Sequence, residues 1–98
     1  MTVEVENHNS QDVVIYMLVG GISARLGMVT GLRTEVISIS WKRLGGRRDI
    51  RLQAHPIGGT DLLSTERIVV EPWTIIHWML ETGLARSSVS VYAGNPKP

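Results

Sequence analysis

The chain contains no cysteine and no phenylalanine. Without cysteine it forms no disulfide, offers no thiolate nucleophile and holds no metal through sulfur. It has no apolar run of about eighteen residues or more, so no segment reads as a membrane-spanning helix. The stretch MTVEVENHNSQD is polar and acidic, which does not fit a signal peptide. An excess of one charge is missing too. Lys and Arg number 10 against 9 for Asp and Glu, a formal charge of +1. Overall charge therefore gives no support to a general polyanion-binding role.

Catalytic signatures are equally scarce. His8, His55 and His77 are far apart in sequence, with no HxH, HExxH or paired-carboxylate spacing. A metal site would have to be assembled by folding. Ser87 and Ser88 lack a GxSxG context. Asp49, Asp61 and Glu66 fall near turns and strand ends without acid/base pairing. Gly45-Gly46 and Gly58-Gly59 lack P-loop spacing and open no helix, so they read as turns. The sequence predicts no catalytic residue, no metal ligand and no cofactor, hence a protein that is not an enzyme.

What is present is alternation. The chain is 98 residues long, 43% hydrophobic and 19% charged, which fits one globular domain spanning 1–98. In DVVIYMLV, Val13, Ile15, Met17 and Val19 share one face. The run is rich in β-branched residues, as a strand buried on much of both faces would be. Gly20-Gly21 supplies a hairpin turn, and ISARLGMV returns with Ile22, Ala24, Leu26 and Met28 on one face. Gly27 suggests a bulge. TEVISISW sets Ile37, Ile39 and Trp41 against Ser38 and Ser40. DIRLQAH sets Ile50, Leu52 and Ala54 against Arg51, Gln53 and His55. STERIVVEP carries Ile68 and Val70. TIIHWMLE places Ile76, Trp78 and Leu80 together, and SSVSVYA turns Val89 and Val91 inward. With VEVEN at the start this makes eight strands, separated by Gly- and Pro-containing turns. A helix around TIIHWMLETGLAR is disfavoured, because its apolar residues form no single stripe.

The expected fold is an immunoglobulin-like or transthyretin-like β-sandwich of seven to eight antiparallel strands. Residues 1–8 would be an N-terminal edge or exchanged strand, and residues 93–98 a frayed tail. Roughly twenty inward positions, at ~1.5–3 kcal/mol for each large aliphatic side chain, make a core without metal or disulfide.

Several segments together, VEVEN, VVIYML, ARLGMV, RTEVISIS, IRLQAHPIGG and STERIVVEP, resemble a loosely defined group of small bacterial β-sandwich domains. Members are usually exported or lipid-anchored and have no assigned function. The likeness runs from Val3 to about Val91, and its most specific pieces are Arg25-Leu26-Gly27 and the turn Pro56 to Gly59. It implies a sandwich fold and an extracellular or cell-surface location. It carries over no functional residue. In such domains a Gly commonly follows the Pro of the turn at Glu71-Pro72, where this chain has Trp73.

Two features remain as candidate sites. Lys42, Arg43, Arg47, Arg48 and Arg51 are half of the basic residues, gathered around Gly45-Gly46. They would bind an anionic glycan or polymer, or else form a solvated loop that keeps sheet edges apart. Nucleic acid is disfavoured, because stacking needs interleaved aromatic residues and only Trp41 adjoins, turned inward by the alternation. The second feature is a set of apolar residues on edge strands and at a turn: Val3, Val5, Val89, Val91 and Trp73. These would join copies of the chain into a homo-oligomer or filament. The leading expectation is a structural, self-assembling module outside the cytoplasm. The alternative is a binding module for an anionic glycan.

Overall fold

The computed structural model describes residues 1–59, 62–81 and 87–93. They fold into two packed β-sheets, as the period-two alternation predicts. The strands are β1 (Thr2–Asn7), β2 (Val13–Val19), β3 (Ile22–Val29), β4 (Thr34–Ser38), β5 (Asp49–Pro56), β6 (Leu63–Ser64), β7 (Ile68–Val69), β8 (Thr74–Leu80) and β9 (Ser88–Ala93). One sheet has the order β4-β1-β8-β9. The other is β3-β2-β5-β6, with β7 also pairing with β5. Each of the eight segments read as strands holds one, and the two-residue β6 brings the count among the described residues to nine, where seven to eight were expected. Residue 93 closes β9 rather than opening a tail; the rest of the expected tail, 94–98, and the expected turn at 82–86 lie outside the described residues. No helix among the described residues is long and apolar enough to cross a membrane.

The core follows the alternation. Val3, Val5, Val13, Ile15, Leu52, Ala54, Ile76 and Leu80 are fully buried, and Trp78 is buried among them. Leu26, Ile37, Trp41 and Leu63 pack on this cluster from its margins.

Three expectations need correction. The sheets are not wholly antiparallel, because β1 runs parallel to β8, with Val3 opposite Ile76 and Val5 opposite Trp78. A parallel pair needs a crossover instead of a hairpin. Here the chain leaves β1, builds the second sheet and β4, and returns as β8, a path that no local turn signal reveals. For the same reason β1 is not an edge strand. It lies between β4 and β8, and Val3 and Val5 are 0% exposed, so neither faces a neighbouring copy. The third correction concerns β3. Ile15 pairs with Gly27, but Tyr16 pairs with Arg25, so Leu26 is an extra residue in a bulge beside Gly27. The bulge reverses the alternation. Val29 becomes fully buried, whereas Met28, expected inward, is exposed, as is Ile22 at the strand start.

The sheets are laced at one end by two connections that touch. The β1–β2 link (residues 8–12) lies against the β3–β4 turn (residues 30–33). Asn7 N–H donates to Arg33 O at 2.9 Å, and Leu32 N–H donates to Asn9 O at 3.0 Å. Gly31 N–H donates to Asp12 Oδ1 at 2.9 Å.

Candidate functional site

The basic segment is a shaped element. Trp41–Leu44 forms one turn of 3-10 helix, and Leu44 is buried in the core as its anchor. Arg43 N–H donates to Ser40 O at 3.0 Å, and Arg47 N–H to Leu44 O at 3.0 Å. Gly45 caps the turn at φ 59°, a left-handed conformation that glycine adopts without steric cost.

This geometry divides the five cations. Arg48 reaches across to Glu71 and forms an ion pair with its carboxylate. Lys42 is exposed on the turn. Arg47 and Arg51 instead line a cavity of about 480 Å³ together with Arg67, Asp49, Leu18, Ile50, Gly20 and Gly21. A second cavity of about 310 Å³ is lined by Met17, Val19, Ile22, Ala24 and Leu44 together with Arg43 and Gly45. Gly20 and Arg47 border both.

Arg67 was not part of the sequence cluster. A bulge brings it in. Gln53 pairs with Ser64 and Ile50 with Ile68, so two β5 residues face three residues between β6 and β7. The Thr65 hydroxyl helps hold this irregular stretch, accepting from Leu52 N–H at 3.0 Å and donating to Glu66 O at 2.9 Å. Bulges re-aim side chains, and this one sets Arg67 beside Arg51. Among the described residues none forms an ion pair with Arg47, Arg51 or Arg67, although Arg48 has Glu71.

The sandwich is open along one side. Val89 pairs with Trp78 and Val91 with Ile76, so both valines face inward. Yet they are 39% and 46% exposed. They line a cavity of about 420 Å³ with Ile68, Val69, Glu66 and Arg67. Trp73 is 41% exposed in the turn before β8, neither folded fully onto the sandwich end nor free of it. That turn is closed by Thr74 N–H to Glu71 O at 3.0 Å and by Glu71 N–H to Thr74 Oγ1 at 2.7 Å.

Folding also assembles what the sequence left dispersed. On the outer face of the first sheet, His8 Nε2 donates to Glu6 Oε2, and His8 Nδ1 lies 3.6 Å from Glu81. His77 Nε2 lies 3.4 Å from Glu6 Oε1 but outside hydrogen-bond geometry. The hydrogen bond with His8, followed by its charge, holds the Glu6 carboxyl below its ordinary range despite some desolvation. The same bond raises the His8 imidazole. His55 is exposed on β5, away from this group. Among the described residues no three such side chains are placed to hold a metal ion. Ser87, weighed as a nucleophile, accepts a hydrogen bond from Glu81 N–H at 3.0 Å and so serves the connection between β8 and β9. Asp61 lies outside the described residues.

No family model matches the chain, and no curated protein or solved structure matches it at a significant level.

Proposed function

We propose that this chain is a non-enzymatic β-sandwich module that associates with copies of itself along β9. The observation that carries the reading is the exposure of Val89 and Val91, two inward-facing residues that the opposite sheet leaves uncovered. β9 pairs with β8 alone among the described residues, so its outer backbone groups have no ladder partner. Ser88-Val89-Ser90-Val91 carries no charge that would repel another strand. A second β9 running antiparallel about a two-fold axis at Ser90 sets Val89 beside Val91 of the other copy and extends the open apolar layer. Such a contact is self-complementary and closes as a dimer.

The other edge of that sheet, β4, exposes Val36 but also Glu35. A contact from β9 to β4 of the next copy would not close and would give a filament; the Glu35 charge on β4 favours the closed dimer. Trp73 precedes Thr74, which pairs with Ala93 at the end of β9, and so stands beside the proposed contact. Of the two sandwich types the sequence suggests, strand order favours the transthyretin-like one. An immunoglobulin sheet sets its first strand beside its second, whereas β1 here lies between β4 and β8. A location outside the cytoplasm belongs to this reading through the resemblance of the segments named above.

Light scattering after size exclusion, at low and at ~0.5 M salt, tests the proposal, since apolar strand pairing resists screening. A salt-resistant dimer that Val91→Lys converts to monomer is expected. A 10.8 kDa monomer at both salts and at high concentration overturns it.

A further inference from the structure

We infer that the cavity between Arg47, Arg51 and Arg67 binds a phosphate monoester whose remaining part is apolar. The inference stands apart from self-association, because it rests on the arginine-lined end of the second sheet. Like charges on neighbouring strands repel. The bulge before β7 nonetheless sets Arg67 beside Arg51, and Arg47 joins them from the segment that follows the 3-10 turn. An oxyanion among three planar guanidiniums takes paired, charge-assisted hydrogen bonds from them and removes that repulsion.

The charge of the lining narrows the ligand. Three guanidiniums less the one carboxylate of Asp49 leave +2. A phosphate monoester carries about −1.5 to −2 near neutral pH, a closer match than the single charge of a sulfate ester. The volume, about 480 Å³, falls within the range of small-ligand pockets. The adjoining cavity supplies the second half of the specificity. It shares Arg47 and Gly20 with the first, and apart from Arg43 its other side chains, Met17, Val19, Ile22, Ala24 and Leu44, are apolar. Ile22 is 74% exposed there, an apolar side chain that the core does not use. A phosphate held by the arginines directs an attached alkyl or aryl group past Arg47 onto this wall.

Isothermal titration with octyl phosphate, octyl sulfate, inorganic phosphate and uncharged octyl glucoside tests the assignment. Octyl phosphate should bind about tenfold or more tightly than inorganic phosphate or octyl sulfate, and octyl glucoside should give no binding heat. Arg51→Gln and Arg67→Gln should each weaken octyl phosphate about tenfold without lowering the melting temperature. Arg48→Gln, which removes the cation already paired with Glu71, should leave affinity unchanged. Ile22→Ser should weaken octyl phosphate and spare inorganic phosphate. Absence of octyl phosphate binding, or binding indifferent to Arg51→Gln and Arg67→Gln, overturns the site. Equal affinity for octyl sulfate overturns the assignment to phosphate. Equal affinity for inorganic phosphate overturns the apolar half.

Discussion

The side-chain amide of Asn7 donates to the main-chain carbonyl of Val29, 3.3 Å away. It ties the last residue of β1 to the last residue of β3, in the opposite sheet. The same Nδ2 donates to Gln11 O at 2.9 Å and lies 3.3 Å from Thr30 O, while Oδ1 accepts from Asn9 N–H at 2.9 Å. Asn7 is 1% exposed. Removing this amide takes a donor from the carbonyls of Val29 and Gln11, whereas Thr30 O keeps the Arg33 N–H. Asn7→Ala should therefore destabilise the fold by about 1–3 kcal/mol. Asn7→Asp should cost more, because a carboxylate cannot donate and would face three carbonyl oxygens. Urea unfolding of both variants checks the order.

Gly31 stands in the connection that Asn7 holds. A Cβ there would lie 2.3 Å from the carbonyl oxygen of Ser10, a main-chain atom that cannot swing away. Gly31→Ala must push the β1–β2 link off the β3–β4 turn. An overpacking cost of about 1–3 kcal/mol is expected, with the hydrogen bond from Gly31 N–H to Asp12 also lengthened. Amide exchange at Gly31 and Leu32 should accelerate relative to the centre of β2.

The Glu6–His8 pair predicts a pH window. Glu6 is lowered from its ordinary value of 4.5, so its stabilisation is present above pH 4.5 and lost as pH falls through the lowered value. His8 is raised from 6.5, so its stabilisation is present below pH 6.5 and lost as pH rises through the raised value. The two limits bracket pH 4.5 to 6.5. The melting-temperature difference between the chain and Glu6→Gln should be largest inside that window and shrink on both sides. His77 and Glu81 face the same group and remain in both proteins. The effect should be small, because both partners are substantially exposed and surface pairs are screened. A difference that stays flat with pH would contradict the pairing.

These residues also mark where the sequence was legible. Period-two alternation located all seven strands of five or more residues among the described residues, and the Gly20-Gly21 hairpin is present with both residues at positive φ. Alternation reports which face a residue occupies and nothing about which strand lies beside it. The interior position of β1 and its parallel pairing with β8 were therefore hidden, and Val3 and Val5 were misplaced at an edge. Bulges break the period itself. One exchanged Met28 for Val29 in the core, and another delivered Arg67 to Arg51, sixteen positions away in the chain. The basic run looked like one cluster because sequence counts charges without their directions. The 3-10 turn and Glu71 divide it. His77 reaches Glu6, the partner of His8, only because β1 and β8 are neighbours, with Glu4 opposite His77 in the ladder.

Gly20 and Gly21 offer a final comparison that links the hairpin to the arginine groove. Both have positive φ, 59° and 81°. Alanine at either position incurs left-handed strain of about 1–2 kcal/mol. Their surroundings differ. A Cβ on Gly21 meets nothing within 4 Å, whereas one on Gly20 would lie 2.7 Å from Arg47 Nε and 3.0 Å from Cζ. The guanidinium end is flexible and moves aside at little cost in stability. The two alanine variants should therefore melt at similar temperatures. They should differ in ligand affinity, because only Gly20→Ala displaces Arg47 from the place where it borders both cavities. Octyl phosphate titrations should show Gly20→Ala weakened and Gly21→Ala near the parent value. Equal affinities in the two variants would mean that the position of Arg47 does not govern binding.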